Sequence, residues 1–414
     1  MFRKKRDYGY YSSYGSSRRH LRVGRVAIVG VIVAVVIIAI VIVLNLTRIQ
    51  LLMKGYSFSQ ASEILSLTSE EESEILSHDK MDHIVNWIEE SKNVEYYDEY
   101  ERYYSLNDDL DYVDVVTYVD NLYDNQVPKL ESLSYNDDDI WTLIEDGATE
   151  DDFQYLIDHS YSASDLEPYQ KVKGYKIQNL EAYISAYANY KDYNYAVCIT
   201  NYPFIISSNG DPQESYTITN PDELLTLVKK GFYLPEDYEP ELVEPEIPVA
   251  PDCENSQMTP ETSEALTKMY EAAKKEGLEL VLNSAYRSYE TQVAIYQDFE
   301  TRYGGQYAAE YVAQPGASEH QTGLGIDLTS QSVVDGQRIT FGDTEEYKWV
   351  VDNCYKYGFI IRFENGTDNI TGIAHEPWHL RYVGEDVAKE IVDNNWTFEE
   401  YCLYNNVMPE LEEQ

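Results

Sequence analysis

Cysteine and histidine are scarce in this chain of 414 residues, which contains four cysteines and seven histidines. No two cysteines form a C-x-x-C pair, so the sequence disfavours a thiolate zinc site. An oxidising compartment would allow one or two disulfides, and four cysteines permit three pairings, which the sequence leaves open. The four are Cys198, Cys253, Cys354 and Cys402.

Basic residues are rare beyond the N-terminus. Of the 31 lysines and arginines, eight lie in the first 25 residues, and the remaining 389 residues carry 23 basic and 73 acidic side chains, a net charge of -50. Such a surface repels phosphate backbones, so we expect no nucleic acid partner. The apolar content of 43% is enough for packed cores and excludes a wholly disordered chain.

Charge is absent from residues 26–46, VAIVGVIVAVVIIAIVIVLNL. About twenty apolar residues in a helix span roughly 30 Å of hydrocarbon, so this segment predicts one transmembrane helix behind a basic, flexible tail, residues 1–25. A cleavable signal peptide would have a shorter apolar core and a small-x-small site after it. The charge asymmetry predicts a cytoplasmic N-terminus and a cell-surface location for the rest of this membrane protein.

Proline is almost absent from residues 50–191, where apolar residues recur at three and four positions behind Ser, Thr and Asp. This period predicts an α-helical, acidic region. Many of the 40 tyrosines alternate with acidic residues between Val94 and Tyr123. Two interpretations stay open: a surface that binds a wall sugar or a protein partner, or a solvated helix face that packs tyrosine rings at its edge.

The remaining chain reads as two segments. Residues 192–250 begin with an apolar, β-branched stretch, YNYAVCITNYPFIIS, which predicts a strand, and continue as a proline-rich, extended lead-in. Residues 251–408 alternate between helical and strand patterns and predict a compact α+β domain. Its expected elements are the helix ETSEALTKMYEAAKKEGL, the strand ELVLNSAYRS, the helix YETQVAIYQDFETRYG, the helix EEYKWVVDNCYKYG and the strand FIIRF.

One stretch of this domain, SEHQTGLGIDL, residues 318–328, places His320 and Asp327 seven positions apart. The glycines Gly323 and Gly325 permit a tight turn into a strand on which Asp327 would point back toward His320. A hydrolytic zinc ion takes three protein ligands from His, Asp, Glu and Cys, so this pair offers two. Taken alone, the pair is more typical of a structural turn than of a metal site.

A second stretch, HEPWHLRYVG, offers the third ligand. Glu376 and His379 are three positions apart, so a single turn would bring both toward one centre, although Pro377 disfavours a long helix. His379 would then bind the metal, and Glu376 would take a proton from water. His375 is an alternative ligand.

A third stretch, NSAYRSYETQ, reads as a strand end followed by a helix that Ser288 caps. At such a corner the Arg287 guanidinium can hold a carboxylate in a bidentate pair or stabilise an oxyanion. Taken alone, Arg287 is more typical of a surface arginine than of a ligand-binding one.

The three motifs SAYRSYETQ, SEHQTGLGIDL and EPWHLRYVG, in this order, resemble those of VanY-type D-alanyl-D-alanine carboxypeptidases. These zinc peptidases share a fold with LD-carboxypeptidases and the Hedgehog signalling domain. The resemblance covers about Tyr195 to Tyr404 and includes the lead-in LVKKGFYLPEDYEP. It departs at Gly325, where the family usually has alanine, and at Ser284 and Ala285, where it has Ser-Gly; neither change removes a functional group.

The resemblance implies a small antiparallel sheet with flanking helices, a Hedgehog-like and DD-peptidase-like fold. It implies a Zn²⁺ ion held by His320, Asp327 and His379, with Glu376 as the general base. It also implies a substrate pocket in which Arg287 binds the substrate carboxylate or the oxyanion, helped by Gln292 and Ser318.

The function that the resemblance implies is removal of the C-terminal D-amino acid from peptidoglycan stem peptides by a membrane-anchored, extracellular zinc carboxypeptidase. Three alternatives are an LD-carboxypeptidase acting on tetrapeptide stems, a wall-peptide endopeptidase, and a wall-binding or scaffold protein. Glu376 favours an enzyme, because a binding domain needs no base. Arg287, as a reader of a free carboxylate, favours an exopeptidase.

Overall fold

The computed structural model describes residues 17–91, 93–206 and 215–413. Within them the chain forms two compact units. The first comprises the described residues up to 145 together with 149–160, and the second comprises 146–148 and the described residues from 161 onward. Residues 161–191, which the sequence pattern grouped with the helical region, therefore belong to the second unit. Residues 1–16 of the predicted basic tail lie outside the described residues.

The first helix, α1, covers Ser17–Leu44. Its segment Val26–Leu44 is long and apolar enough to cross a membrane, and none of that segment is buried. Residues 17–25 were expected to be flexible, but they are helical, because extending an existing helix costs far less than starting one. Helix α1 ends two residues before the predicted span does, since Asn45 has a non-helical backbone and a new helix begins after it.

The rest of the first unit is helical, as the period of its apolar residues predicted. Side-chain capping boxes start three of its helices, at Ser57, Thr68 and Thr149. Its helices are α2 (Leu46–Lys54), α3 (Phe58–Ile64), α4 (Ser69–Ser77), α5 (Ile84–Glu90), α6 (Tyr97–Leu106), α7 (Tyr112–Asn125), α8 (Val127–Ser132), α9 (Asp137–Glu145) and α10 (Glu150–His159).

Some tyrosines of the first unit form its core rather than its surface. Tyr97 and Tyr100 are buried beside Trp87, and their hydroxyls bond to the Ser91 carbonyl and to Asp120. Buried tyrosines of this kind need such partners. Core packing therefore explains why tyrosine occupies these two positions.

The second unit combines helices with two small sheets. Its helices are α11 (Ala163–Gln170), α12 (Leu180–Tyr190), α13 (Tyr193–Asn201), α14 (Pro260–Lys275), α15 (Tyr289–Tyr303), α16 (Gly305–Tyr311), α17 (Gln331–Val334), α18 (Glu345–Asn353), α19 (Asp368–Thr371), α20 (Glu385–Asn394) and α21 (Phe398–Asn405). Its strands are β1 (Tyr216–Ile218), β2 (Phe232–Tyr233), β3 (Leu280–Ser284), β4 (Gly325–Ser330), β5 (Phe359–Phe363), β6 (Glu376–Tyr382) and β7 (Leu411–Glu413).

The strand predicted at residue 193 is wrong, because this segment forms helix α13. The Asp192 side chain accepts a hydrogen bond from the Tyr195 amide and starts the helix. The helix then buries Ala196, Val197 and Cys198. Tertiary packing here outweighs the strand preference of the β-branched residues.

The larger sheet has the strand order β3-β4-β6-β5, and every pairing in it is antiparallel. The α+β prediction, a small antiparallel sheet with flanking helices, is therefore confirmed. All of β4 is buried, and in the ladder Asp327 pairs with Ser284 on one side and with His379 on the other. Two of the predicted metal ligands thus face each other on neighbouring strands.

Residues 376–379 form the start of β6, not the predicted single turn. In a regular strand, side chains three apart point to opposite faces. Here the pairing shifts between Ile361↔Leu380 and Phe363↔Glu376, so three residues of β6 lie opposite Arg362 alone. Such a bulge re-aims side chains, and it lets Glu376 and His379 reach the same cavity.

Candidate metal centre and catalytic cavity

One cavity of about 340 Å³ in the second unit is lined by all seven residues to which the family resemblance gave a role. The lining includes groups from the loop after β3, the start of α15, the turn before β4, and strands β4 and β6. The seven residues are Arg287, Gln292, Ser318, His320, Asp327, Glu376 and His379. The three distant motifs therefore meet in space.

His320 lies in a single 3-10 turn, Glu319–Thr322, and is buried. Its Nδ1–H donates to the Ala285 carbonyl at 2.7 Å, so its Nε2 lone pair is directed toward Asp327, whose Oδ1 lies 3.5 Å away. Burial keeps the pKa of His320 below its ordinary value. The imidazole is thus held in its neutral form, with the Nε2 lone pair available to a metal ion.

The two glycines of this motif shape the turn as predicted. Gly323 has φ +67°, the left-handed region that glycine adopts most readily. A Cβ on Gly325 would lie 3.1 Å from the backbone carbon of Glu319. This close approach suits glycine, which stands where the related family usually has alanine.

His379 is buried and contacts a carboxylate on each side of its ring. Its Nδ1 lies 2.9 Å from Asp327 Oδ1, and its Nε2 lies 3.4 Å from Glu319 Oε2. Burial opposes the charged imidazole, but these two carboxylates raise the pKa of His379 to about 9. Burial would also raise the pKa of Asp327, whereas the two imidazoles hold it well below its ordinary range.

The residues present fit a zinc ion. One donor atom from each of His320, Asp327 and His379 lies within 4.8 Å of the other two, and all three side chains are buried. Two histidines and a carboxylate form a three-ligand set of the kind that catalytic zinc sites use. The other nitrogen of each imidazole contacts a protein oxygen, the Ala285 carbonyl or the Glu319 carboxylate, as metal-binding histidines usually require.

Glu319 was not singled out from the sequence, although it is a buried acid beside His320. Its Oε1 accepts from Arg362 Nε at 2.9 Å and from Arg381 Nη1 at 3.1 Å. Burial would raise the pKa of Glu319, but the two guanidinium groups hold it far below its ordinary range. Glu319 is therefore a fixed anion next to His379. The sequence feature that could have indicated a buried acid is Arg362, which lies inside the apolar strand FIIRF and needs an anionic partner.

The same buried network continues away from the cavity. Arg362 makes a bidentate pair with Glu399, with N···O distances of 2.9 and 2.7 Å. Lys229 lies 3.4 Å from Glu399 and also donates to two backbone carbonyls. Because each charge has a partner, the network fixes Arg362, and with it Glu319, without an unpaired buried ion.

Glu376 enters the cavity at the beginning of β6. Burial raises the pKa of its carboxyl to about 7. A general acid–base group works best when its pKa is near the working pH. Its position and environment therefore suit a group that takes up and returns a proton. His375, the alternative ligand, instead donates its Nδ1–H to the Phe363 carbonyl at 2.9 Å.

Arg287 follows the end of β3 and faces the cavity. Its Nη1 donates to Gln292 Oε1 at 3.0 Å, and its Nη2 lies 3.4 Å from Ser284 Oγ. Gln292 is buried and donates in turn to the Ala313 carbonyl at 2.7 Å. The helix after Arg287 begins at the predicted cap, since Ser288 accepts from the Thr291 amide. Gln292 thus orients the guanidinium.

Ser318 is buried just before the 3-10 turn and also lines the cavity, as does the partly exposed Trp378, which the sequence had not pointed to. The cysteines lie elsewhere, and all four are free thiols in the described chain, three of them buried. No cysteine belongs to the cavity lining.

Comparison with known proteins identifies the family of the chain. The sequence profile of the family VanY, D-alanyl-D-alanine carboxypeptidase, matches residues 255–385. The chain is 47% identical over 188 residues to the putative carboxypeptidase YodJ of Bacillus subtilis (strain 168). The aligned region covers 45% of this chain and 69% of YodJ. The chain belongs to the VanY family of D-alanyl-D-alanine carboxypeptidases.

Other VanY-related proteins are also similar. The bifunctional D-Ala-D-Ala dipeptidase and D-Ala-D-Ala carboxypeptidase VanXYC of Enterococcus gallinarum is 33% identical over 185 residues, 44% of this chain and 94% of that protein. The solved structure of the LdcB LD-carboxypeptidase is 45% identical and covers 46% of this chain and 91% of its own, with a TM-score of 0.43. As a member of the VanY family, the chain is a zinc-dependent carboxypeptidase. Its first unit lies outside the profile match.

Proposed function

We propose that this VanY-family enzyme is a membrane-anchored, extracellular carboxypeptidase that removes the terminal D-alanine from peptidoglycan stem peptides ending in D-Ala-D-Ala. The observation that carries the proposal is the convergence, in one cavity, of three metal donors, a partly buried carboxyl and an arginine. These are the parts that hydrolysis of a C-terminal peptide bond requires.

In this proposal His320 Nε2, Asp327 and His379 Nδ1 hold the zinc ion. When bound there, zinc would act as a Lewis acid and lower the pKa of water. The Ala285 carbonyl and the Glu319 carboxylate contact the other nitrogen of each imidazole and would hold both rings in place for metal binding.

Glu376 carries the proton. Its carboxylate takes a proton from the attacking water and passes it to the nitrogen of the departing D-alanine. The peptide C–N bond then breaks with a neutral amine, not an amine anion, as the leaving group. Partial burial of Glu376 raises the pKa of its carboxyl, which favours its return of that proton to the leaving group near neutral pH.

Arg287 gives the cavity its preference for a chain end. A free carboxylate inside a partly closed cavity needs a charged partner, and a guanidinium held by Gln292 supplies two parallel donors. An internal peptide bond would leave those donors without a carboxylate. This favours an exopeptidase over an endopeptidase.

The location is part of the proposal. The uncharged helix segment Val26–Leu44 would anchor the chain, and the basic residues before it would hold the N-terminus in the cytoplasm. Protease added to intact cells should therefore remove a C-terminal tag. Full protection of the tag until the cells are lysed would contradict this topology.

The activity is tested with the full chain in detergent, zinc, and purified stem peptides. Mass spectrometry should detect loss of one alanine from the pentapeptide ending in D-Ala-D-Ala, and a chelator should stop the reaction. Shortening of only the tetrapeptide would indicate LD-specificity, and an internal cut would indicate an endopeptidase. No hydrolysis of any substrate would reject the proposal.

A further inference from the structure

Four aromatic side chains recur at every fourth residue from Phe299 to Tyr311. We call them the aromatic row: Phe299, Tyr303, Tyr307 and Tyr311. Their successive ring centroids are 5.6, 5.2 and 4.4 Å apart. The first two rings lie on α15 and the last two on α16, so the row continues across the helix break at Gly304, where φ is +91°.

The aromatic row borders the catalytic cavity, and its three tyrosines are exposed, whereas Phe299 is partly buried. Phe299 and Tyr311, its two ends, line the cavity that contains Glu376 and the metal donors. Its two middle rings do not line the cavity, and Tyr303 and Tyr307 are 58% and 42% exposed. The aromatic row therefore forms part of the cavity rim: its first and last rings line the cavity, and its two middle rings lie outside it.

Packing alone does not account for this rim. Aromatic pairs four residues apart stabilise a helix only slightly, by about 0.2–0.5 kcal/mol per pair. In the first unit the buried rings Tyr97 and Tyr100 contribute to a core, whereas Tyr303 and Tyr307 leave much of their ring area in water. A contiguous exposed patch of this kind beside a catalytic cavity is typical of a binding surface.

The chemistry of the rim selects its ligand. A tyrosine ring offers an apolar face with a hydroxyl at its edge, so it suits a ligand that is apolar on its face and polar around its rim. A pyranose ring has this character, since its axial C–H bonds form an apolar face and its hydroxyls point outward. A polyanion is disfavoured by the strongly acidic body of the chain.

The proposed substrate supplies such rings at the right place. In peptidoglycan each stem peptide is attached through its N-terminal end to a saccharide chain. An extended peptide covers at most about 3.3–3.6 Å per residue, so the four residues before the cleaved bond reach roughly 14 Å. With the C-terminus at Arg287, the attached saccharide would emerge near the cavity rim.

We propose that the aromatic row binds the saccharide chain that carries the stem peptide, so that the enzyme recognises glycan-borne peptides better than free ones. This inference rests on the proposed carboxypeptidase function. It adds a second contact region to the same site, with Tyr303 and Tyr307 outside the region that handles the scissile bond.

The test compares two substrates with the same stem peptide, one free and one still attached to its saccharide chain. The full chain is assayed in detergent with zinc. Tyr303→Ala and Tyr307→Ala should each lower kcat/KM for the attached substrate about five-fold, as expected for a lost aromatic stacking contact, and leave the free peptide unchanged. Tyr303→Phe and Tyr307→Phe should retain the preference, because the ring remains.

Tyr190→Ala is the matched control, since Tyr190 is 40% exposed in the same unit and lies outside the cavity lining. This variant should leave kcat/KM unchanged for both substrates. An unchanged ratio of the two kcat/KM values in the Tyr303 and Tyr307 variants would overturn the inference. So would an equal fall for both substrates, because that would indicate a structural role.

Binding of peptide-free saccharide chains to the same variants separates this inference from the proposed function. Wild-type protein should bind these chains, and the Tyr303→Ala/Tyr307→Ala double variant should bind them about 25-fold more weakly if the two stacking contacts are independent. Absence of hydrolysis together with this pattern of binding would reject the enzyme activity and keep the binding site. Hydrolysis without saccharide binding would do the reverse.

Discussion

The Nε2 atom of His379 lies 3.4 Å from a carboxylate oxygen of Glu319, on the side of the ring opposite the atom that faces Asp327. A metal-binding imidazole needs this kind of acceptor to fix its tautomer and its orientation. The Glu319 carboxylate is itself fixed by Arg362 and Arg381. The orientation of His379 therefore depends on Glu319, which is 60 residues away in sequence, and on the two arginines that hold its carboxylate.

Replacing Glu319 should weaken metal binding. We expect Glu319→Gln to lower zinc affinity about 10- to 100-fold, since the anion that holds the imidazole is lost. Competition with a chromogenic chelator measures this affinity independently of catalysis. Glu364→Gln is the control, because Glu364 lies outside the cavity lining, whereas Glu319 contacts His379. Equal affinities in the two variants would remove the positioning role of Glu319.

Removing a proposed ligand should remove the metal. His320→Ala and His379→Ala should each bind well under one zinc per chain after dialysis, because two donors do not make a stable site. Metal analysis of the purified full chain measures the content. His375→Ala should retain zinc, since the His375 ring bonds to the Phe363 carbonyl. Full zinc content in the His320 or His379 variant would discredit the ligand assignment.

Glu376→Ala should separate metal binding from turnover. The variant should keep its zinc, whereas kcat should fall about 10²- to 10⁴-fold because no group remains to carry the proton. Steady-state kinetics on the pentapeptide gives the rate, and metal analysis gives the occupancy. Glu364→Gln, which changes a nearby carboxyl outside the cavity lining, should leave kcat unchanged. A normal kcat in Glu376→Ala would exclude Glu376 as the base.

Arg287→Ala should erase the preference for a free chain end. A hydrogen bond to a charged group contributes about 1.5–3 kcal/mol, so kcat/KM should fall roughly 10- to 150-fold for the pentapeptide with a free carboxylate. The same peptide with an amidated C-terminus should be a poor substrate for both proteins. Arg302→Ala, on the exposed part of α15, serves as the control. An unchanged ratio of free to amidated substrate would contradict the role of Arg287.

The buried network predicts a pH-dependent stability. Burial would raise the pKa of Glu399, but Arg362 and Lys229 hold it below its ordinary value of 4.5. Because the folded pKa is the lower one, Glu399 stabilises the fold above about pH 4.5, and this contribution is lost as the pH falls below that value. Glu399→Gln should therefore lower the free energy of unfolding by about 3–5 kcal/mol at pH 7.

Urea unfolding in the presence of a chelator measures this difference at pH 7 and at several pH values below 4.5. The gap between wild type and Glu399→Gln should narrow in acid, because wild type then loses the same ion pairs. A gap of constant size across this range would mean that Glu399 does not act through its charge.

The fold elements that local chemistry determines were predictable from the sequence. Gly323 and Gly325 require a turn into a strand, and Ser288 caps the helix that follows Arg287. The segment at Tyr193 was not predictable in the same way, because its β-branched residues favour a strand while packing in the second unit favours a helix.

The candidate site shows the same division. The motifs indicated which residue types meet, but the shape of residues 376–379 depends on a bulge opposite Arg362, which belongs to another strand. The contact of Glu319 with Arg362 and Arg381 joins segments that are 43 and 62 residues apart. No local pattern encodes such partners, although a charged residue inside an apolar strand signals that a partner exists.

Asp327 and His379 occupy the same rung of the β4–β6 ladder. A shift of β6 by one residue would turn His379 to the other face of the sheet, and no three-donor set would remain. Hydrolytic activity thus requires the correct register between β4 and β6. A chain that folds with β6 out of register would therefore lack the three-donor set and have no hydrolytic activity.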